Sequence, residues 1–361
     1  MSTLIIVGMG TIGSSLVPLA ARMPDVTRIT LIDPDSYTEA NLDNQAIDSS
    51  ALGRPKVEVQ AESIRTITPR IKVVALQARV ENVPLAVMDS AAVLSCVDNR
   101  RARQTINRVS WRRGNPWVDA AVGAASQART NVYVPGASAP CIECGWDQHS
   151  YELLEQEYPC KPGSNPVPAT GTPAELGALA ASLQAAELRR ILDETEDASL
   201  AGSQFMLDTA LHTGDLYRFA FNEQCRFDHE IWSVETIALA PRTSTLADLF
   251  DAVNAGSDSA ISLEGHTFAT YLDCIDCRGR SNIGLSLFSR LLPAERSCHC
   301  GGRMVAPGFF SFDAIRRSEV TQATLNLNLG AIGFLTGDVI SVTNGAGATR
   351  HIEIAKERSS D

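Results

Sequence analysis

A glycine-rich turn, Gly8-Met9-Gly10-Thr11-Ile12-Gly13, follows directly on the apolar, β-branched run Thr3–Val7. A second such run, Arg28–Asp33, ends in an acid twenty residues past Gly13. No other feature constrains the chain as strongly. Glycines let the backbone turn tightly and bring bare N–H groups against a phosphate, and the helix that opens at the turn favours an anion at its N-terminus. An acid at the end of the second strand is placed to hydrogen-bond a ribose hydroxyl. A βαβ nucleotide-binding unit is expected, with Gly8, Gly10 and Gly13 at the phosphates and Asp33 at the ribose. The alternative is a glycine turn that merely closes the unit. Pro18 falls inside the expected helix and should kink it or cost a hydrogen bond.

The alternation continues to about residue 135. Strands are expected near Ile71–Leu76, Ala92–Cys96 and Trp117–Ala121, with helices at Lys56–Ile67 and Arg100–Trp111. This pattern predicts an α/β fold with a mostly parallel sheet covered on both faces, which binds ligands at the carboxyl ends of its strands. Residues 161–173 are rich in proline and glycine and read as an extended loop. Thr172, Pro173 and Glu175 form a capping-box start for an alanine-rich helix reaching about residue 192, whose small side chains suggest close packing. From about 200 the pattern changes, with strand signals at Glu230–Leu239, Thr267–Leu272, Val339–Thr343 and Arg350–Ile354 and a hairpin at Asn344-Gly345. Two domains are therefore expected, 1–200 with a crossover loop at 158–173, and 201–361.

The net charge of −11 argues against a general nucleic-acid binder, although Arg100, Arg101, Arg103, Arg108, Arg112 and Arg113 form a local basic patch. No window is apolar enough to cross a bilayer, and the first core strand leaves no room for a signal peptide. Nine cysteines, several at CxxC spacing, fit a reducing compartment and metal ligation better than disulfides. A cytoplasmic protein is expected.

Residues after Asp33 separate hydride transfer from adenylation. The chain continues Asp33-Pro34-Asp35, then Asn41-Leu42-Asp43-Asn44-Gln45, then Gly53-Arg54-Pro55-Lys56, and later Cys96-Val97-Asp98-Asn99. A lysine beside the phosphates neutralises the charge that develops when a carboxylate attacks the α-phosphate, and an aspartate can hold Mg²⁺ there. On structure alone Lys56 is a solvated helix-start lysine and Asp98 a helix cap; the combination favours ATP.

In these motifs the chain resembles the ubiquitin-activating superfamily, which includes the adenylyltransferases of sulfur-carrier proteins. The family pattern is a glycine loop, D-x-D, N-L-x-R-Q, G-x-x-K, D-N with a following arginine, and CxxC. It is met at Gly8/Gly10/Gly13, Asp33/Asp35, Asn41-Leu42, Gln45, Gly53–Lys56, Asp98-Asn99, Arg103 and Cys141/Cys144. The resemblance implies a Rossmann-like adenylation domain in which the glycine loop, Asp33 and Asp35 hold the nucleoside. Asn41, Gln45 and Lys56 would face the triphosphate, and Asp98 with Asn99 would position Mg²⁺ or the incoming carboxylate. The implied partner is a ubiquitin-like or sulfur-carrier protein adenylated at its C-terminal glycine, and the implied assembly is a homodimer. Asn44 replaces the family's arginine, so one phosphate contact is missing; Arg54, Arg100 and Arg103 are the nearest substitutes.

The resemblance also makes Cys160, on the crossover loop beside Lys161, the expected thioester-forming nucleophile, with Cys225 and Cys96 as rivals. Cys96 reads better as a small buried core residue. Cys274-x-x-Cys277 with Cys298-x-Cys300-Gly301-Gly302 has the spacing of a four-thiolate structural zinc site within 274–302. In the family Cys141/Cys144 is half of a zinc site. Either the C-terminal four bind zinc alone and Cys141/Cys144 is left free or weakly metallated, or Cys141/Cys144 pairs with Cys274/Cys277 and Cys298/Cys300 is left over. His299 is expected to face solvent. His149, His212, His229, His266 and His351 show no ligand spacing and are taken as structural or surface residues.

The expected function is ATP-dependent activation of a ubiquitin-like protein, by adenylation and then thioester formation, for transfer to a conjugating enzyme. Alternatives are a sulfur-carrier adenylyltransferase, an NAD-dependent oxidoreductase and an inactive carrier-binding scaffold.

Overall fold

The expected strands form, and their order places the glycine turn at the end of an interior strand of a sheet. A computed structural model describes residues 2–123, 126–155, 172–193, 200–256 and 258–355. The chain divides into two units, Met1–Val83 with Met88–Ile231, and Pro84–Val87 with Trp232–Asp361.

In the first unit the elements are β1 (Ser2–Val7), α1 (Thr11–Ala20), β2 (Val26–Ile32), α2 (Lys56–Ile67), β3 (Lys72–Leu76), β4 (Ala92–Ser95) and α3 (Arg100–Arg113). They continue with β5 (Trp117–Gly123), β6 (Gln127–Tyr133), α4 (Gln148–Glu155), α5 (Ala174–Leu192), β7 (Ser203–Asp208) and β8 (Thr213–Arg218). One sheet runs β3-β2-β1-β4-β5-β6-β7-β8. The first five strands are parallel and the rest antiparallel. Hence the expectation of a mostly parallel sheet holds for the half that carries the glycine turn. The reversal of chain order at β1, between β2 and β4, opens a crevice at their carboxyl ends.

Leu4, Ile6, Ile29, Leu31, Leu94, Val118 and Ala120 point to one face, where they share a core with α1, α2 and α5. The alternate residues Ile5 and Val93 are equally buried but lie outside that core, and α3 packs on β4 and β5 without joining it. The sheet is thus covered on both faces. The small residues of α5 allow close approach: a Cβ on Gly177 would lie 2.4 Å from the Thr11 methyl carbon. α1 continues through Pro18 and ends two residues later. α5 begins at Ala174 with Pro173, not Thr172, at the N-cap and without a side-chain cap.

The unit boundary lies at Ile231, beyond the expected 200, because β7 and β8 add to the first sheet. In the second unit β9 (Val234–Ala238), α6 (Leu246–Ala252), β10 (Ala260–Leu263), β11 (Phe268–Cys274), β12 (Arg280–Leu287), β13 (Met304–Val305) and β14 (Ser311–Phe312) come first. β15 (Ala314–Arg316), α7 (Gln322–Leu325), α8 (Leu329–Ile332), β16 (Val339–Thr343) and β17 (Thr349–Ala355) follow. A five-stranded sheet, β15-β10-β16-β17-β9, packs Ile261, Ile340, Ile352 and Ile354 against Leu249 and Phe250 of α6. β16 and β17 form the expected hairpin, its turn closed by Asn344 Oδ1 accepting from the Ala346 and Ala348 N–H groups, each at 3.0 Å. A smaller sheet around β11 carries the cysteine-rich module.

Candidate active site and metal centres

Gly8 ends β1 at φ +91°, and a Cβ there would lie 2.6 Å from the Cys96 carbonyl oxygen. A Cβ on Gly13 would lie 1.9 Å from the Gly8 carbonyl oxygen. Both positions exclude any side chain. Gly10, by contrast, has no atom of the described residues within 4 Å of where its Cβ would be. The turn therefore packs tightly on β4 and leaves an open cradle at the start of α1.

Buried polar side chains fix this turn. Asp33 accepts from the Met9 N–H at 2.6 Å and from the Asp35 N–H at 2.8 Å. Burial raises the Asp33 pKa, and these hydrogen bonds and the Lys56 charge act against the rise. The Tyr37 hydroxyl donates to the Met9 carbonyl at 3.2 Å and accepts from Gln60 Nε2 at 2.8 Å. Burial pushes the Tyr37 pKa up to about 12.

Lys56 opens α2, its N–H bonded to the Asp35 carbonyl at 2.9 Å. Its side chain is almost wholly buried, with Nζ 3.8 Å from Asp35 Oδ2 and 5.6 Å from the centre of the Tyr37 ring. It is not a solvated helix-start lysine. Asn41 is turned inward on its own loop, where Oδ1 accepts from the Thr38 N–H at 2.9 Å. The loop is tied to α1 by the Ala46 N–H, which donates to Ser14 Oγ at 3.0 Å. Asn44 Oδ1 and Gln45 Oε1 are buried without a hydrogen-bond partner among the described residues. Such atoms are costly to leave unpaired, so a ligand that donates to them or coordinates them would be stabilising.

Asp98 is exposed just past the tip of β4. Asn99 caps α3, accepting from the Ala102 N–H at 2.8 Å, and its Nδ2 donates to Asp98 Oδ1 at 3.3 Å. Asp98 itself is therefore not the cap. Arg103 is bound to Asp119, with Nε 3.0 Å from Oδ1, and donates from Nη2 to the Val97 carbonyl at 2.7 Å. Arg54 is paired with Glu62 at 2.5 Å, and Arg100 is exposed. Cys160 lies outside the described residues. Cys96 is buried, and burial pushes its thiol far up, so it serves as a core residue and not as a nucleophile.

Four of the six arginines of the expected basic patch are held in ion pairs, Arg103 with Asp119, Arg108 with Glu143, Arg112 with Asp228 and Arg113 with Asp89, while Arg100 and Arg101 are exposed. Gln104, Asn107, Arg108, Trp111 and Arg112 recur at helical spacing and line one face of α3. Gln104 Nε2 donates to Glu143 at 2.8 Å, Asn107 Oδ1 accepts from the Ile142 N–H at 3.4 Å, and Arg112 Nη2 donates to Asp228 at 2.9 Å. Trp111 meets Phe227 and His229 edge-on.

That face of α3 supports a cluster that the sequence reading missed. Cys141, Cys144, Cys225 and His229 have their ligand atoms within 4.8 Å of one another. Cys141 and Cys225 Sγ are 3.8 Å apart, and Cys144 Sγ is 3.3 Å from His229 Nε2. Tetrahedral zinc with Zn–S of about 2.3 Å needs sulfurs about 3.8 Å apart. Of the two expected arrangements, the pairing of Cys141/Cys144 with Cys274/Cys277 does not form; the C-terminal four gather by themselves, and the fold brings Cys225 and His229 to Cys141/Cys144. His229 is a buried candidate ligand, and Cys225 a candidate ligand in place of a rival nucleophile. The signal was the Cys225-x-x-x-His229 spacing. In the second unit Cys274, Cys277, Cys298 and Cys300 gather as expected, with Cys274–Cys300 and Cys277–Cys298 sulfur distances of 3.6 Å. Backbone N–H groups, that of Cys277 foremost, pull the Cys274 pKa down to about 7. His299 is exposed, as expected. Both donor sets fit a structural zinc ion with no position open for water.

Residues 1–227 match the family model described as the ThiF family. The chain belongs to the ThiF family. It is similar to the SAMP-activating enzyme E1 of Haloferax volcanii, 29% identical, over 62% of this chain and 79% of that enzyme. It is similar to the molybdopterin-synthase adenylyltransferase of Escherichia coli, 31% identical, over 40% of this chain and 58% of that enzyme. It also resembles ubiquitin-like modifier-activating enzyme 5 of Dictyostelium discoideum, 26% identical, over 57% of each chain. Among solved structures, that of E. coli MccB with ATP is similar at 20% identity and a TM-score of 0.49, over 62% of this chain and 65% of that chain. The ThiF-family match ends close to the boundary of the first unit at Ile231. The named relatives are adenylyltransferases and activating enzymes, and this ThiF-family chain is an enzyme of that class.

Proposed function

We propose that this chain activates the C-terminal carboxylate of a ubiquitin-like or sulfur-carrier protein by transferring AMP to it from ATP. A carboxylate oxygen of the carrier attacks the α-phosphorus, the bond from that phosphorus to the bridging oxygen breaks, and pyrophosphate leaves with the electron pair. The observation that carries this reading is the buried ammonium of Lys56 at the start of α2, held beside Asp35 of the loop that follows β2. A hydride-transfer site has no use for it; a site in which two anions must approach one another does. The cradle at Gly10 and the unpartnered oxygens of Asn44 and Gln45 fit a triphosphate with a divalent cation. Asp98 is the residue to hold Mg²⁺, which lessens the repulsion between the phosphates and the carboxylate. Asp33 is placed for the ribose. The chain's contribution is orientation and charge neutralisation, without acid–base catalysis.

The finer reading is conjugation: Cys160 takes the acyl group as a thioester, AMP leaves, and a conjugating enzyme accepts the acyl group from a homodimer of this chain. Relatives named as a SAMP-activating E1 and as a modifier-activating enzyme support it. Those named as adenylyltransferases of sulfur-carrier proteins and molybdopterin synthase support the alternative, in which the adenylate becomes a thiocarboxylate. ATP–pyrophosphate exchange in the presence of the carrier tests the adenylation step, with Lys56→Ala expected to abolish it. Cys160→Ala should preserve exchange and remove a thiol-labile carrier adduct if conjugation is right. No adduct in the wild type would leave sulfur transfer as the function.

A further inference from the structure

Asp119 interrupts the apolar run of β5 with a carboxylate only 2% exposed. The strand registers place it between Ser95 on β4 and Asn131 on β6. It accepts from Ser95 Oγ at 2.7 Å, from Arg103 Nε at 3.0 and 3.1 Å, and from Asn131 Nδ2 at 3.2 Å. Arg103 in turn holds the Val97 carbonyl, which immediately precedes Asp98. The next carbonyl back, that of Cys96, is the surface against which Gly8 packs. One hydrogen-bonded chain thus runs from the core of the sheet to the corner that presents Asp98.

Charge gives that chain a second consequence. Burial by itself would lower the Arg103 pKa, but Asp119 first and Asp98 after it hold it above its ordinary value. Asp98 therefore lies within the field of the guanidinium. An unbalanced guanidinium so close would compete with any cation for the Asp98 carboxylate. With Asp119 bonded to it, the Arg103–Asp119 pair carries no net charge beside the exposed Asp98 carboxylate.

We propose that Asp119 is a positioning residue for the adenylation site, holding Arg103 against Val97 and cancelling its charge so that Asp98 is free to bind a divalent cation. The proposal rests on the adenylation reading above. Its test is titration of the full chain, with an α,β-methylene ATP analogue present, with Mn²⁺ followed by electron paramagnetic resonance. Asp119→Asn keeps hydrogen-bonding capacity and removes the charge, and should weaken Mn²⁺ binding about tenfold. In pyrophosphate exchange the half-saturating Mg²⁺ should rise by the same factor, with the rate at saturating Mg²⁺ little changed. Asp119→Asn combined with Arg103→Gln removes both charges and keeps neutral hydrogen-bonding groups, and should bring Mn²⁺ affinity back toward that of the wild type; the pair carries the test if circular dichroism shows Asp119→Asn alone unfolded. Unchanged Mn²⁺ affinity in folded Asp119→Asn, or a folded double variant that binds Mn²⁺ as poorly as Asp119→Asn or about tenfold below the wild type, would overturn the proposal. A wild type that binds no Mn²⁺ with the nucleotide would overturn the adenylation reading itself.

Discussion

Adding one methyl group at Gly13 and one at Gly10 separates what the glycine turn does for folding from what it does for the nucleotide. At Gly13 the new carbon would lie 1.9 Å from the Gly8 oxygen, far inside the 3.0 Å that real Cβ contacts keep. Relief requires β1 and α1 to part by about 1 Å, a displacement that can lower a rate by about 100-fold when it misplaces reacting groups. Overpacking of this kind costs about 1–3 kcal/mol, so the melting temperature of Gly13→Ala should fall by roughly 2–10 °C. At Gly10 the new methyl meets no atom of the described residues within 4 Å, and the residue already has φ −78°. Exchanging glycine for alanine at this helix N-cap costs under about 1 kcal/mol, so Gly10→Ala should melt within about 3 °C of the wild type. Its methyl occupies the cradle, and ATP affinity should fall at least about tenfold. Calorimetric melting and ATP titration measure the two effects separately. Normal ATP binding by Gly10→Ala would refute the placement of the phosphates, and a Gly13→Ala protein unaffected in both assays would refute the packing argument.

Purified protein should carry about two zinc ions per chain by elemental analysis, and Cys225→Ser or Cys277→Ser should each remove one without the other; a single ion in the wild type would exclude one cluster. Tyr37 has its folded pKa raised to about 12 from 10.0, mainly by burial, so its contribution is fully present below pH 10 and is lost as pH rises from 10 to 12. At most this is about 2.7 kcal/mol, and Tyr37→Phe should flatten alkaline unfolding across that window; an unchanged pH dependence would contradict it.

Much of the first unit could be read from the chain because burial on both faces demands continuous apolar strands, and Thr3–Val7, Arg28–Asp33 and Ala92–Cys96 supply them between helical segments. Lys56 could be singled out, though its burial could not: that follows from Tyr37 and Asp35 folding over it. Arg103 reads as a phosphate contact in isolation, and only the pairing of β4, β5 and β6 reveals Asp119 as its partner. Similarly, Cys225 and His229 lie about eighty residues from Cys141 and Cys144, a separation that local spacing rules do not bridge, and the α3 face that supports them looked like a basic patch. The first unit runs to Ile231 and not to the expected 200 because β7 and β8, which no strand signal announced, hydrogen-bond to the first sheet.

Calorimetric titration of the whole chain with Mg²⁺–ATP and, separately, with NAD tests the identity of the nucleotide most directly. The account predicts saturable binding of ATP that is weakened at least about tenfold by Lys56→Ala, and none of NAD. Binding of NAD with no binding of ATP, or ATP binding indifferent to Lys56, would contradict it.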